Sequence, residues 1–294
     1  MQGRFAMQTW GGTGAWLGTL HYSRAITILP IAAGAGPISF TPDGTALVTA
    51  DSRQVSLWRP PAMRPEKTFP TKMTTAILWS PDGKTMRTSG YQSPAEFDAA
   101  WSAIKPVDFP AGNVDSEAWS RDARVKIIAQ QADHARRGDA HIYRDGALVR
   151  THEVAAKGME ISSLQSDISP DGKWAAMAAF QGIGWHVWNT ENGKEVASGE
   201  TSASLRFSPD SRWLMVCAGI VNELWDTRTW LRVREWPHAA AGLFGRAAWT
   251  LDNRTVAFQP TRRAITLMHV GSWQEIATVQ TTLYTILPPC FPRV

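Results

Sequence analysis

The sequence predicts an all-β chain built from one four-stranded unit repeated along its length. Three observations predict it. A Ser/Thr-Pro-Asp-Gly bend recurs, short apolar stretches punctuated by turn residues follow each bend, and tryptophan is abundant, with 15 among 294 residues. Short apolar runs between turn residues are strand signals. Large aromatic side chains suit the half-buried surface of a sheet.

The bend reads ISFTPDG at 38–44, ILWSPDG at 77–83, DISPDG at 167–172 and RFSPDS at 206–211. Two degenerate copies, AWSRDA at 118–123 and AWTLDN at 248–253, extend the series. The marker positions 42, 81, 121, 170, 209 and 251 lie 39 to 49 residues apart. Spacing of that size means one supersecondary unit in repetition. In each bend the proline (Pro42, Pro81, Pro170, Pro209) presets φ, and the acid (Asp43, Asp82, Asp171, Asp210) is a turn former. One acid per unit at equivalent bends reads as structure and not as a catalytic set.

After the bend comes a second apolar stretch, such as Trp174 to Ala179. A third ends on an aromatic, Trp58, Trp188 or Trp225, and a fourth closes near proline or charge, as at Lys67 to Pro70. The repeated place of these tryptophans between apolar strands assigns them to the core. Four strands per unit of about forty residues is the signature of a β-propeller blade.

The bend, followed by Leu224-Trp225-Asp226-Thr227 or Val187-Trp188-Asn189-Thr190, resembles the WD40-repeat family over residues 37 to 280. The resemblance implies a propeller that serves as a protein-binding scaffold. The chain departs from the family in having no Gly-His dipeptide. Asp51 ahead of Trp58 is a partial remnant of the family's buried polar network, so aliphatic and Trp packing is expected to hold the blades.

Six markers give six blades, and the ends are expected to give a seventh. Arg4 to Pro30 aligns with Arg212 to Pro237, placing Trp16 against Trp225, and Leu283 to Phe291 would supply the fourth strand. On this reading residues 1–294 are one domain, with 1–30 and 282–294 sharing the closing blade. Such closure removes open sheet edges. The alternative is a fragment with an incomplete last blade.

Composition narrows the function classes. The net charge is +4, and the only adjacent arginine pairs are Arg136-Arg137 and Arg262-Arg263. Nucleic-acid binding needs a concentrated basic stripe, so none is expected. Two cysteines, Cys217 and Cys290, do not make a disulfide scaffold. No apolar run of membrane-spanning length and no convincing export signal is present, so a monomeric cytoplasmic protein is expected. The glycine-rich stretch Gly11 to Gly14 lies between predicted strands and reads as a turn, since phosphate cradles need a following helix. No nucleophile or phosphate-loop motif occurs, and no cofactor is expected.

The third unit is the longest. Its extra residues, Gln130 to Asp139, are read as a loop between strands Arg124 to Ala129 and Ala140 to Tyr143. A second extension, Ala155 to Gln165, should emerge on the same face. Asp133, His134, Arg136, Arg137 and Asp139 are therefore the candidate protein-binding residues, with a solvated loop as the plain alternative. Arg137-Gly138-Asp139 also matches a receptor-recognised tripeptide, a match too short to carry weight. His134, His141 and His152 fall on a loop and two strands, which does not predict a metal site. The expected function is a non-catalytic scaffold that binds other proteins. The alternatives are a lactonase-like propeller hydrolase, opposed by the apolar run Ala76-Ile77-Leu78 and the mostly apolar Leu205-Arg206-Phe207, and a TolB-like propeller.

Overall fold

A computed structural model of the chain describes residues 4–8, 15–19, 27–29 and 36–280, except 60–61, 63, 72–73, 81, 91–94, 99, 102, 107–113, 240–245 and 262. The described residues hold strands, turns and no helix. The first three strands, β1 (Arg4–Gln8), β2 (Ala15–Thr19) and β3 (Thr27–Leu29), form an antiparallel sheet. Six four-stranded sheets follow. The first contains β4 (Ile38–Phe40), β5 (Leu47–Ala50), β6 (Gln54–Trp58) and β7 (Lys67–Pro70). The second contains β8 (Thr74–Trp79), β9 (Thr85–Gly90), β10 (Ala95–Asp98) and β11 (Ala103–Pro106). The third contains β12 (Val114–Trp119), β13 (Val125–Ala132), β14 (Arg137–Arg144) and β15 (Ala147–Ala155). The fourth contains β16 (Leu164–Ile168), β17 (Trp174–Ala179), β18 (Trp185–Asn189) and β19 (Glu195–Gly199). The fifth contains β20 (Ala203–Phe207), β21 (Trp213–Ala218), β22 (Val221–Asp226) and β23 (Leu231–Pro237). The sixth contains β24 (Ala247–Trp249), β25 (Thr255–Thr261), β26 (Ala264–His269) and β27 (Glu275–Gln280). Each is a meander in chain order.

Six four-stranded blades stand where seven were expected. The N-terminal segment supplies a three-stranded sheet, and the segment 282–294 that was to complete it lies outside the described residues. The chain forms two compact units, residues 1–108 with 248–294, and residues 109–247.

The bends explain why the repeat survives substitution. In every four-stranded blade a Ser or Thr hydroxyl accepts from the amide five residues on: Thr41 from Ala46 (3.0 Å), and Ser80, Ser120, Ser169, Ser208 and Thr250 from theirs at 2.9 Å. In five blades that hydroxyl also donates to the Asp two residues on, at 2.6–2.7 Å. The residue after each Asp takes a positive φ: Gly44, Gly83, Ala123, Gly172, Ser211 and Asn253. The clamp is therefore Ser/Thr-x-Asp with a left-handed fourth residue, and proline is dispensable. Arg121 and Leu251 replace it in two copies. Pro81 lies outside the described residues. The Ser80 hydroxyl and the Lys84 amide hold the Asp82 carboxyl below its ordinary range, and Ser120 and Arg124 do the same for Asp122. These acids stay ionised and act as turn acceptors.

Burial grades across each blade. β5, β17 and β21 are almost wholly buried, whereas the outermost strands β15, β23 and β27 are almost wholly exposed. In the unit of residues 109–247, Ile127, Ile142, Leu164, Met177 and Trp188 fill the space between the third and fourth sheets. Val187, Leu205, Leu214 and Val216 do so between the fourth and fifth. In the other unit Val48, Leu57, Met86 and Phe97 join the first and second sheets. Trp188 is buried in the layer between the third and fourth sheets, and Trp58 is buried too, its indole N–H donating to Thr49 Oγ1 at 2.9 Å. Trp225 is half-buried, edge-on to Trp185 (centroids 5.4 Å apart), and its N–H donates to Glu223. Asp51 caps its own turn by accepting from the Arg53 and Gln54 amides.

The tryptophan surplus has a second cause. Trp101, Trp230 and Trp273 occupy positive-φ turn positions before an outer strand, and each packs edge-to-face on another tryptophan: Trp79, Trp174 and Trp249. A non-glycine residue there costs about 1–2 kcal/mol. An aromatic pair returns about 0.5–1.5 kcal/mol beyond its area burial.

Candidate docking site on an extended hairpin

β13 and β14 run eight residues each, against six and five for β17 and β18 in the next blade. The expected ten-residue loop is a correction: ladder pairing continues through Gln130↔Asp139 and Gln131↔Gly138 to Ala132↔Arg137. Only 133–136 form the turn. The polar letters misled because Arg137 and Asp139 pair with each other within the sheet. Asp139 is buried and accepts a two-pronged contact from Arg137 (2.8 and 3.0 Å), and Glu153 takes a third at 3.3 Å. Those three residues form a strut below the tip. The exposed candidates are Asp133, His134 and Arg136.

The tip is strained and held. Asp133, His134 and Ala135 have φ of 51°, 50° and 63°, and consecutive left-handed residues persist only where their surroundings enforce them. The second extension, expected over Ala155 to Gln165 and found over 156–163 between β15 and β16, does this. The Ala156 amide donates to the Arg136 carbonyl and the Ile161 amide to the Ala135 carbonyl, both at 2.7 Å. Lys157 N–H donates to Gly182 O at 2.7 Å, tying in the next blade. Gly138 leaves the space that Ile161, Leu164 and Ile183 fill; a Cβ there would sit 3.0 Å from Ile183 Cδ1. The two extensions expected to be neighbours do meet.

The histidines do not converge. His134 is at the tip, His141 Nδ1 pairs with Thr151 Oγ1 (3.0 Å), and His152 stacks on Trp188 at 4.6 Å. Burial, with Arg150 and His186, lowers the His152 pKa. Among the described residues no three His, Cys, Asp or Glu side chains are placed to share a metal.

Sequence reasoning missed the polar content of the inner strands in this unit. Asp115 sits at the bulge of β12 between Val114 and Ser116. Burial pushes its carboxyl up to about 6, against hydrogen bonding from Gln131. Glu117, two residues on, is 2% exposed. Asp167 on β16 is raised by burial while facing Arg206. Alternation on β12 was the available signal, since VDSEAW places acids at the alternate positions Asp115 and Glu117.

No family model matches the chain, and no curated protein matches it. Among solved structures it is similar to Kuenenia stuttgartiensis hydrazine synthase, with a TM-score of 0.68 over 92% of this chain and 90% of that one, at 13% identity. The fold is a β-propeller. The propeller matches 1464 solved chains, so the likeness carries architecture and no chemistry. Among the described residues no helix is long and apolar enough to cross a membrane.

Proposed function

We propose that this propeller is a non-catalytic, WD40-like docking module that binds another protein through the tip of the β13–β14 hairpin and the adjoining 156–161 segment. The observation that supports this most is the presentation of Asp133, His134 and Arg136 on a left-handed turn held by two backbone hydrogen bonds from 156–161. A pre-ordered polar knob loses little entropy on binding. Arg136 is the expected anchor, because arginine is enriched among residues that dominate interface energies. The test is photo-crosslinking from a probe at His134, with partners quantified for wild type, Arg136→Glu and an Arg234→Glu control on the exposed strand β23 of the fifth sheet. One partner captured reproducibly, lost with Arg136→Glu and kept with the control, is the expected result. Equal capture by all three, or none, refutes the reading.

A second reading, a propeller hydrolase, is favoured by one observation: Asp115 is an inner-strand acid pushed up to about 6. Acids held near neutrality are candidates for proton transfer. Turnover of lactone or ester substrates by wild type, abolished in Asp115→Asn, would establish that reading over docking.

A further inference from the structure

The turn between β18 and β19 carries the one Asn-Gly pair in the sequence, Asn192-Gly193. The fold requires that glycine. Gly193 has a φ of 71°, and a Cβ added to it would run into the Arg150 side chain of β15. The fold also uses the asparagine. Asn192 is exposed, and its Oδ1 accepts from the Lys194 amide at 2.9 Å. A side-chain oxygen bonded to the amide two residues on folds the carboxamide back toward the peptide that follows it. Attack of the Gly193 nitrogen on that carboxamide closes a five-membered ring.

Two hydrogen bonds act on that attack in opposite senses. The Lys194 N–H already meets Oδ1, where negative charge develops when the side-chain carbonyl is attacked, and so serves as an oxyanion donor. Against it, the Gly193 N–H donates to the Asn189 carbonyl at 2.9 Å, and this bond has to open before the nitrogen can react. Glu191, Asn192, Lys194 and Glu195 are all exposed, which admits water and base to the turn. Glycine adds no side chain to shield its own nitrogen.

We propose that Asn192 is a site of spontaneous deamidation in the folded protein. The Gly193 nitrogen, its proton passed to hydroxide, bonds to Asn192 Cγ. The Cγ–NH2 bond breaks, and the amine takes a proton from solvent and leaves as ammonia. One water then opens the cyclic imide at either carbonyl, to aspartate or to isoaspartate, with no oxidation or reduction. Either product adds a carboxylate to the turn on which Arg150 packs and takes one unit from the net charge, from +4 to +3. Isoaspartate also lengthens the backbone by one carbon, which displaces the Gly193–Asn189 bond. The site lies in the fourth blade, away from the hairpin tip, so either assignment stands or falls alone.

The full-length protein is incubated at pH 6 and at pH 9, folded and in denaturant, beside Asn192→Gln. Conversion of each asparagine is followed by peptide mass spectrometry, and isoaspartate by enzymatic methyl labelling. The folded protein should convert at Asn192 at least tenfold faster than at Asn113, Asn189, Asn222 or Asn253, and faster at pH 9 than at pH 6. The isoaspartate label should appear in wild type and be lost in Asn192→Gln. Conversion of Asn192 in denaturant with none in the folded protein overturns the assignment. So does a rate no greater than at the other asparagines, or one indifferent to pH.

Discussion

Replacing Asp115 with asparagine should stabilise the protein at neutral pH and leave it unchanged in acid. Asp115 is 8% exposed, and burial raises its carboxyl from 3.8 to about 6. The folded state therefore binds the proton more tightly than the unfolded chain. The stability contributed by protonated Asp115 is full below pH 3.8 and is lost as pH rises through about 6. Two units at about 1.4 kcal/mol each make the ionised form cost about 3 kcal/mol at pH 7 and above. Asparagine keeps the shape and removes the charge. The assay is denaturant unfolding of wild type and Asp115→Asn at pH 4, 5, 6, 7 and 8, with calorimetric melts alongside. The difference should be near zero at pH 4 and grow to about 3 kcal/mol by pH 8, with unchanged slope on denaturant. If the two compact units melt separately, the shift belongs to the one holding residues 109–247. Parallel stability–pH curves for the two proteins refute the argument.

Three further outcomes follow from the packing and the turns. Trp188→Ala should cost about 3–5 kcal/mol in an unfolding titration, as for other large buried aromatics; a loss well under about 1 kcal/mol would remove Trp188 from the core. Ala123→Gly should raise stability by up to about 1 kcal/mol by relieving its φ of 62°, whereas Gly172→Ala, at φ +72° with a Cβ 3.0 Å from Val125, should lower the melting temperature. His152 has a lowered pKa, so its contribution is present above pH 6.5 and lost as pH falls through its folded value. His152→Phe should therefore flatten the stability profile below pH 6.5, and an unaltered slope there contradicts the stacking role.

How much could be read in advance divides along local and non-local lines. The bends at Thr41-Pro42-Asp43 and Ser169-Pro170-Asp171 were legible because the hydroxyl, the acid and the left-handed residue lie within four positions. The strand-ending tryptophans were legible because they repeat. The hairpin was read as a loop because Gln130, Gln131 and Asp139 look solvated, and only the fold supplies Arg137 and Glu153 around Asp139. The inner-strand pair was illegible for a stronger reason. Asp167 and Arg206 are far apart in the chain, and Arg206, sitting in plain view between Leu205 and Phe207, gains meaning only when Asp167 stands opposite it.

The lost proline of the third blade's bend carries a consequence of its own. Where that repeat has Arg121, the backbone N–H donates to Pro170 O at 2.9 Å and Nη2 reaches Pro209 O at 2.7 Å, while Asp171 N–H donates to Ser211 Oγ at 3.0 Å. Three successive bends are thereby laced into a collar by a side chain that a perfect repeat would have forbidden. Degeneracy in a tandem array can be mistaken for decay. Here the clamp makes no use of its second letter, so that position is free for long-range cohesion, and an irregular copy becomes the fastener of its neighbours.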